Sequence, residues 1–312
     1  MDCFHVHILG CGSALPTKRH YPTSQIVHLR GKLFMIDCGE GTQLQFRQTG
    51  LNYNRIGDIF ISHLHGDHCF GLLGIISTMG LLGRNAPLRI HARPELKELM
   101  QPQMDYFCRD LPFRVEFVSF YPDTHSLVYE DRSLEVYCFP LRHRVKSAGF
   151  LFREKPRQRH MIKEMIDFYE IPLKEIPAIK EGADFVDSEG RLIANDRLTR
   201  PPKAALSYAF CSDTAYDENI VKYVKGVNLL YHEATFGDDL EELAESTTHS
   251  TASQAARIAQ KAGVGKLIIG HYSARYTNEE ILLQQAQAIF PNTELADEGK
   301  CFDVAALRET KN

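Results

Sequence analysis

The chain has 312 residues, 44% hydrophobic and 24% charged, enough to bury a sizeable core in one large α/β domain or two small ones. A formal net charge of -4 does not advertise nucleic-acid binding, although a local basic patch would suffice for it. No run approaches about 18 apolar residues, and Met1-Asp2-Cys3-Phe4-His5 lacks the basic-then-apolar layout of a secretory signal, so neither a membrane span nor a leader is expected and cytoplasm is the default.

Phe4 to Leu9 alternates and runs into Gly10-Cys11-Gly12-Ser13, which predicts a strand ending in a glycine turn. Gln25 to Leu29 and Lys32 to Ile36 flank Arg30-Gly31 and predict a hairpin. The hairpin ends in Asp37-Cys38-Gly39-Glu40-Gly41-Thr42, where glycines allow close backbone approach, and Gln43 to Gln48 begins a helix. Asp58 to Ile61 predicts a buried strand. Ser62-His63-Leu64-His65-Gly66-Asp67-His68 follows it, with Gly66 supplying the freedom of a tight turn, and Cys69 to Met79 reads as a buried helix. Leu88 to His91, Val115 to Phe120 and Leu134 to Leu141 read as strands, and Pro94 to Leu99 as a helix. The stretch from Phe152 to Pro202 is rich in Lys, Arg and Pro. It reads as an inserted arm rather than core, with a helix at Met161 to Tyr169 and a hairpin piece around Asp187 to Arg191. Strands resume at Ala204 to Cys211, Val227 to Tyr231 and Lys266 to Ile269. Ser253 to Ala262, capped by Thr251 or Ser253, and Glu279 to Ile289 are the last helices. Eight cysteines lack CxxC pairing, and Cys38, Cys138 and Cys211 lie in apolar runs, as expected of buried free thiols in a reducing compartment.

Strand ends thus carry Asp37, the His63 cluster, His143, Asp213, His232 and His271. His63, His65 and His143 suit one ion, Asp67, His68 and His271 a second, with Asp213 between them. Imidazole and carboxylate donors suit two zinc or manganese ions, which about 3.5–4 Å apart clamp both oxygens of a displacement at phosphorus. His232 reads as a structural neighbour, and His5, His7, His28, His91, His125 and His160 as ordinary strand or surface residues.

Strand-HxHGDH-helix, then a lone His, an Asp and a His at later strand ends, resembles the metallo-β-lactamase fold. The resemblance implies an α/β architecture, an αββα sandwich of two mixed β-sheets flanked by helices. It would be a single domain over 1–312, with a flexible arm inserted at 152–202. His232-Glu233-Ala234-Thr235-Phe236, Thr248-His249-Ser250-Thr251-Ala252 and Ser273-Ala274-Arg275-Tyr276 narrow the resemblance to the short-form ribonuclease Z family.

That resemblance implies a cytoplasmic, homodimeric endoribonuclease that removes the 3′ trailer of tRNA precursors, leaving a 3′-hydroxyl on the tRNA and a 5′-phosphate on the trailer. It implies two Zn2+ per subunit, with Mn2+ or Mg2+ as substitutes. Asp67 would ligate metal and accept the nucleophile's proton, His249 would protonate the departing oxygen, and Glu233 would orient His249. Ser273, Arg275 and Lys18, with Arg153, Lys155, Arg157 and Arg159 of the arm, would bind substrate. From Arg142 to Glu164 eight basic residues face two acidic ones, a local phosphate-binding patch. Two stretches depart from the family pattern. His20 and Tyr21 replace the Arg and Asn of its PxKxRN loop, and Ile171 to Pro177 lacks a Gly-Pro tip. The competing readings are a lactonase, thioesterase or cyclic phosphodiesterase of the same fold, and an RNA-binding protein with a non-catalytic site.

Overall fold

Period-two alternation builds two seven-stranded sheets, described over residues 3–307 by a computed structural model; Met1 and Asp2, part of the N-terminal stretch read above, and residues 308–312 lie outside the described residues. The first sheet runs, edge to edge, through Cys301–Asp303, Phe4–Gly10, Ser24–Leu29, Lys32–Ile36, Ile56–Phe60, Leu88–Ala92 and Val115–Ser119. The second runs through Thr293–Leu295, Lys266–Gly270, Leu229–Glu233, Ser207–Cys211, Ser147–Glu154, Leu134–Leu141 and Ser126–Glu130. Both are mixed: Lys32–Ile36 pairs antiparallel with Ser24–Leu29 and parallel with Ile56–Phe60, and Ser207–Cys211 pairs antiparallel with Ser147–Glu154 and parallel with Leu229–Glu233.

Alternation decides what each face buries. Phe34 and Phe60 of the first sheet meet Phe152 and Phe150 of the second, with ring centroids 6.0 and 5.5 Å apart, so the sheets face each other across an aromatic layer. Leu33, Met35, Ile59 and Ile61 point the other way, onto Leu72, Ile75, Ile76, Leu96, Met100 and Met104 of the covering helices. Full burial of one such side chain contributes about 1.5–3 kcal/mol. Ala252–Ala262 covers the second sheet, packing on Leu229–Glu233 and Lys266–Gly270. Thr251 caps that helix and Gln254 closes a capping box with it.

The structure departs from expectation around the histidine motif. Gly66–Cys69 and Leu72–Leu81 are two helices, not one, and Asp67 and His68 lie inside the first. Gly66 is absent from the left-handed region; a Cβ there would instead meet the Phe70 ring at 2.2 Å. The break has a packing cause. Gly71 presses on the turn after Lys32–Ile36, where its N–H donates to the Cys38 carbonyl and a Cβ would come 2.2 Å from the Gly39 carbonyl oxygen. Gly39 in turn approaches the Asp67 carbonyl so closely that a Cβ would sit 2.4 Å from it. Glu95–Phe107 continues beyond Leu99 through Pro102, burying Leu96, Met100 and Met104 at helical spacing.

Contacts divide the chain into two units: 1–130, 135–153 and 206–312, and a smaller one of 131–134 and 154–205. The smaller unit has a core of its own, Ile171, Ile179, Phe185, Ile193 and Leu198, where the composition suggested none. Two short ribbons, His160–Met161 with Thr199–Arg200 and Phe185–Val186 with Leu192–Ile193, frame it. Asn195 ties it together by donating to the Ile179 and Ala183 carbonyls at 2.7 and 2.6 Å. No helix among the described residues is long and apolar enough to cross a membrane.

Candidate active site

Strand ends of both sheets bring seven donors to one place. His63 Nε2 lies 3.0 Å from His65 Nδ1 and 3.6 Å from Asp213 Oδ2; His143 Nε2 lies 3.3 Å from His65 Nδ1 and 3.8 Å from Asp213 Oδ2. Beside them, His68 Nε2 lies 3.3 Å from Asp67 Oδ2 and 3.4 Å from Asp213 Oδ1. His271 Nε2 lies 3.6 Å from Asp67 Oδ2 and 3.2 Å from Asp213 Oδ1. Asp213 therefore offers one oxygen to each group.

These separations fit cations. Donors about 2.0–2.1 Å from a tetrahedral ion stand roughly 3.3–3.4 Å from each other, within the spread seen here. His68 Nε2, Asp213 Oδ1 and His271 Nε2 are buried without a hydrogen-bond partner, and a cation among them would satisfy all three. Burial holds His63, His65 and His143 below the usual imidazole range, so their lone pairs are available. At His68 burial is outweighed by the charges of Asp213, Asp37 and Asp67, which push its pKa well up: the carboxylates there call for positive charge.

Neighbouring groups aim the donors. Asp37 Oδ2 accepts from His68 Nδ1 at 2.7 Å, which turns Nε2 to the site, and Asp37 also accepts from Ser62 N and Oγ at 2.7 and 2.8 Å. His143 Nδ1 lies 2.8 Å from the Thr248 carbonyl, and His271 Nδ1 lies 2.8 Å from Thr235 Oγ1. Asp37, Thr248 and His271 all hold positive φ, at 55°, 58° and 64°, backbone strain gathered at the site. The motifs quoted from the sequence contain Ser62, Thr235 and Thr248 but assign them no supporting role.

Glu233 is fully buried and accepts from Thr214 N, Thr235 N and Thr235 Oγ1 at 3.0, 3.0 and 2.8 Å. Its Oε1 lies 2.8 Å from His249 Nδ1, which leaves His249 Nε2 for other work. Burial disfavours charge on His249, but Glu233's charge and hydrogen bond prevail and raise its pKa to about 9. His249 lines an open cleft of about 420 Å³ with His65, Asp67, Asp213, His271, Ser273 and Arg275. Arg144 and Phe236 line it too; sequence reasoning counted Arg144 only in the basic patch and passed over Phe236 as a wall.

Other residues named from sequence lie elsewhere. His232 is buried against the Glu233 carbonyl, outside both donor groups. Lys18 is exposed and does not line the cleft. Arg153 pairs with Glu135 at 2.8 Å, Arg157 with Glu154 at 3.1 Å and Arg159 with Asp196 at 2.6 Å, so these arginines have acidic partners that the one-dimensional charge count hid. Lys155 is half-buried, its backbone N–H donating to the Ser133 carbonyl. His20 is buried between Glu298 and Glu279, at 2.8 and 3.3 Å, and so anchors the loop in which it replaces the family's residue.

The family described as Anti-Pycsar protein Apyc1 matches residues 4–153, which hold the histidine motif and His143 but neither Asp213 nor His271. Ribonuclease Z of Bacteroides fragilis is 56% identical over 304 residues, 97% of this chain and 100% of that protein. Ribonuclease Z of Bacteroides thetaiotaomicron is 54% identical over 312 residues, 100% of this chain and 99% of that protein. Among solved structures, human tRNase Z, short form, superposes with a TM-score of 0.69 at 24% identity, covering 96% of this chain and 99% of that one. The metallo-β-lactamase fold protein YhfI of Bacillus subtilis gives 0.68 at 17% identity, covering 97% and 100%. Two mixed sheets, a His/Asp centre at their ends and more than half identity over the full length have one reading: the chain belongs to the ribonuclease Z family and has the metallo-β-lactamase fold.

Proposed function

We propose that this ribonuclease Z removes the 3′ trailer of tRNA precursors in a reducing cytoplasm, leaving a 3′-hydroxyl on the tRNA and a 5′-phosphate on the trailer. The observation that carries the chemistry is the Glu233–His249 pair, 2.8 Å apart, at the rim of the seven-donor centre. His63, His65, His143 and Asp213 would hold one zinc ion, and Asp67, His68, His271 and Asp213 a second. When bound, the ions supply Lewis acidity that lowers the pKa of water and neutralises charge growing on the phosphate.

The side chains divide the remaining work. Asp67 is held ionised well below the usual carboxylate range: burial opposes this, and His68 and His271 outweigh it. Its position among the donors, 3.3 Å from His68 Nε2 and 3.6 Å from His271 Nε2, places its ionised carboxylate to accept the attacking water's proton. His249, kept protonated by Glu233, gives a proton from Nε2 to the departing 3′ oxygen. Glu233 touches no substrate and acts as a positioning residue. Arg275 and Ser273, with Arg144 across the cleft, hold phosphate oxygens.

The unit formed by 154–205 serves as the tRNA-binding exosite, and two subunits pair so that each presents RNA to the other's centre. Arg159 is freed for phosphate by exchanging its exposed partner Asp196, a surface pair worth only about 0–1 kcal/mol. The test is cleavage of one tRNA precursor, with and without CCA, in zinc-supplemented buffer, with product ends mapped. A single cut at the trailer boundary with the stated ends supports the reading. Binding without cleavage, or hydrolysis confined to small phosphodiesters, overturns it.

A further inference from the structure

A second group of metal-type donors lies on the first sheet, on the face that Ile26 and Leu33 turn to the helices and toward the edge formed by Cys301–Asp303. Alternation along Phe4–Gly10 buries Val6 and Ile8 and sends His5 and His7 to that face. Cross-strand pairing extends the set: His28 is the partner of His5, and Cys301 the partner of His7. Cys3 precedes His5 by two residues and shares the face, its Sγ 3.5 Å from His5 Nδ1. Cys301 Sγ lies 3.8 Å from His7 Nε2.

The three rings crowd together, with centroids 6.1 to 6.3 Å apart. Donor atoms of Cys3, His5 and His28 all lie within 4.8 Å of one another, and so do those of His5, His7 and Cys301. A tetrahedral ion with metal–sulfur bonds of about 2.3 Å and metal–nitrogen bonds of about 2.0–2.1 Å sets sulfur and nitrogen roughly 3.5 Å apart. Neutral imidazole is the ligating form. The other partners of the cluster are distant, His5 Nε2 lying 3.8 Å from Asp303 Oδ1 and Cys3 Sγ 3.8 Å from the His28 carbonyl, so the grouping of two thiols with three imidazoles is not accounted for by hydrogen bonding alone.

We propose that Cys3, His5 and His28 bind one borderline-soft divalent cation such as Zn2+, with His7 or Cys301 closing the fourth position, at a structural site separate from the hydrolytic centre. Binding forms the metal–sulfur bond and releases the thiol proton to solvent. Because the donors come from Phe4–Gly10, the residue before it and its two neighbouring strands, the ion staples the edge of the sheet.

The hydrolytic centre contains only nitrogen and oxygen donors, so sulfur is the distinguishing signature. The full-length protein, stripped of metal under reducing conditions, is titrated with Co2+ and then with Zn2+. Expected for the parent protein are a near-ultraviolet thiolate-to-cobalt charge-transfer band and one more bound equivalent than in the double variant Cys3→Ser, Cys301→Ser or in His5→Gln. Both variants keep hydrolysis of a small phosphodiester. Zn2+ beyond the hydrolytic complement raises the melting temperature of the parent and not of the variants. No charge-transfer band in the parent, or equal stoichiometry in folded variants, overturns the proposal. Should these variants fail to fold, His28→Gln takes their place, and a charge-transfer band retained in it overturns the proposal.

Discussion

Glu233 and His249 meet 2.8 Å apart although one ends a buried strand and the other precedes a helix sixteen positions on. Glu233 Oε1 faces His249 Nδ1, so the charge that holds the imidazolium sits behind it and the free Nε2 faces the cleft.

His249→Ala lowers kcat for tRNA-precursor cleavage by about 10²–10⁴, the usual worth of a general acid, with little change in KM. Its loss is smaller on a small phosphodiester whose leaving group needs no proton. Equal losses on both substrates would remove His249 from the proton-donor role.

The pH dependence follows from the same pair. His249 donates only when protonated, and its pKa is raised to about 9, so the rate holds until pH nears that value and then falls. Glu233→Gln removes the raising charge while burial, which lowers the pKa, remains. The alkaline limb of kcat/KM then moves to lower pH. An unmoved limb in a folded Glu233→Gln protein assigns the limb to another group.

Asp37 is not one of the seven donors, yet its hydrogen bond to His68 Nδ1 sets the tautomer of His68. Asp37→Asn weakens metal affinity by about 10–100-fold, as loss of such an orienting carboxylate does elsewhere, read by competition with a chromophoric chelator. Unchanged affinity would mean that packing alone orients His68.

Chelation abolishes cleavage and lowers the melting temperature, because ions that bind the folded centre and not the unfolded chain add their binding free energy to its stability. Added zinc restores both. A chelated protein that cleaves at full rate would exclude the two-ion assignment.

Residues 154–205 can be removed with a short linker, because Arg153 and Ser207 are register partners at the base of the excised unit. The shortened protein keeps small-phosphodiester hydrolysis. Its KM for tRNA precursor rises about tenfold or more as phosphate contacts are lost. Intact tRNA processing would deny the unit an exosite role.

Much of the centre was legible one residue at a time. HxHGDH after an apolar strand marks four donors because a strand end needs no such cluster for itself, and His143, Asp213 and His271 each close a strand or follow one. The supports were not legible. Thr235 and Thr248 act through an Oγ or a carbonyl, and any threonine has both; only the long-range approach to His271 and His143 gives them a role. The same limit hid the partners of Arg153 and Arg159, because a charge count along the chain does not record which carboxylate lies opposite. It hid the small unit's core as well, whose five apolar residues are spread over twenty-eight positions of polar sequence.

The sequence by itself determined most strands around the site and the family resemblance, and it named the seven candidate donors that the fold brings together, because local periodicity and dense ligand spacing are one-dimensional signals. The tertiary structure alone decided that Asp213 divides its oxygens between two donor groups, that Glu233 backs His249, and that Cys3, His5, His28 and Cys301 share one face. Those are consequences of strand register and sheet pairing, which bring together residues up to 298 positions apart and which no local pattern encodes.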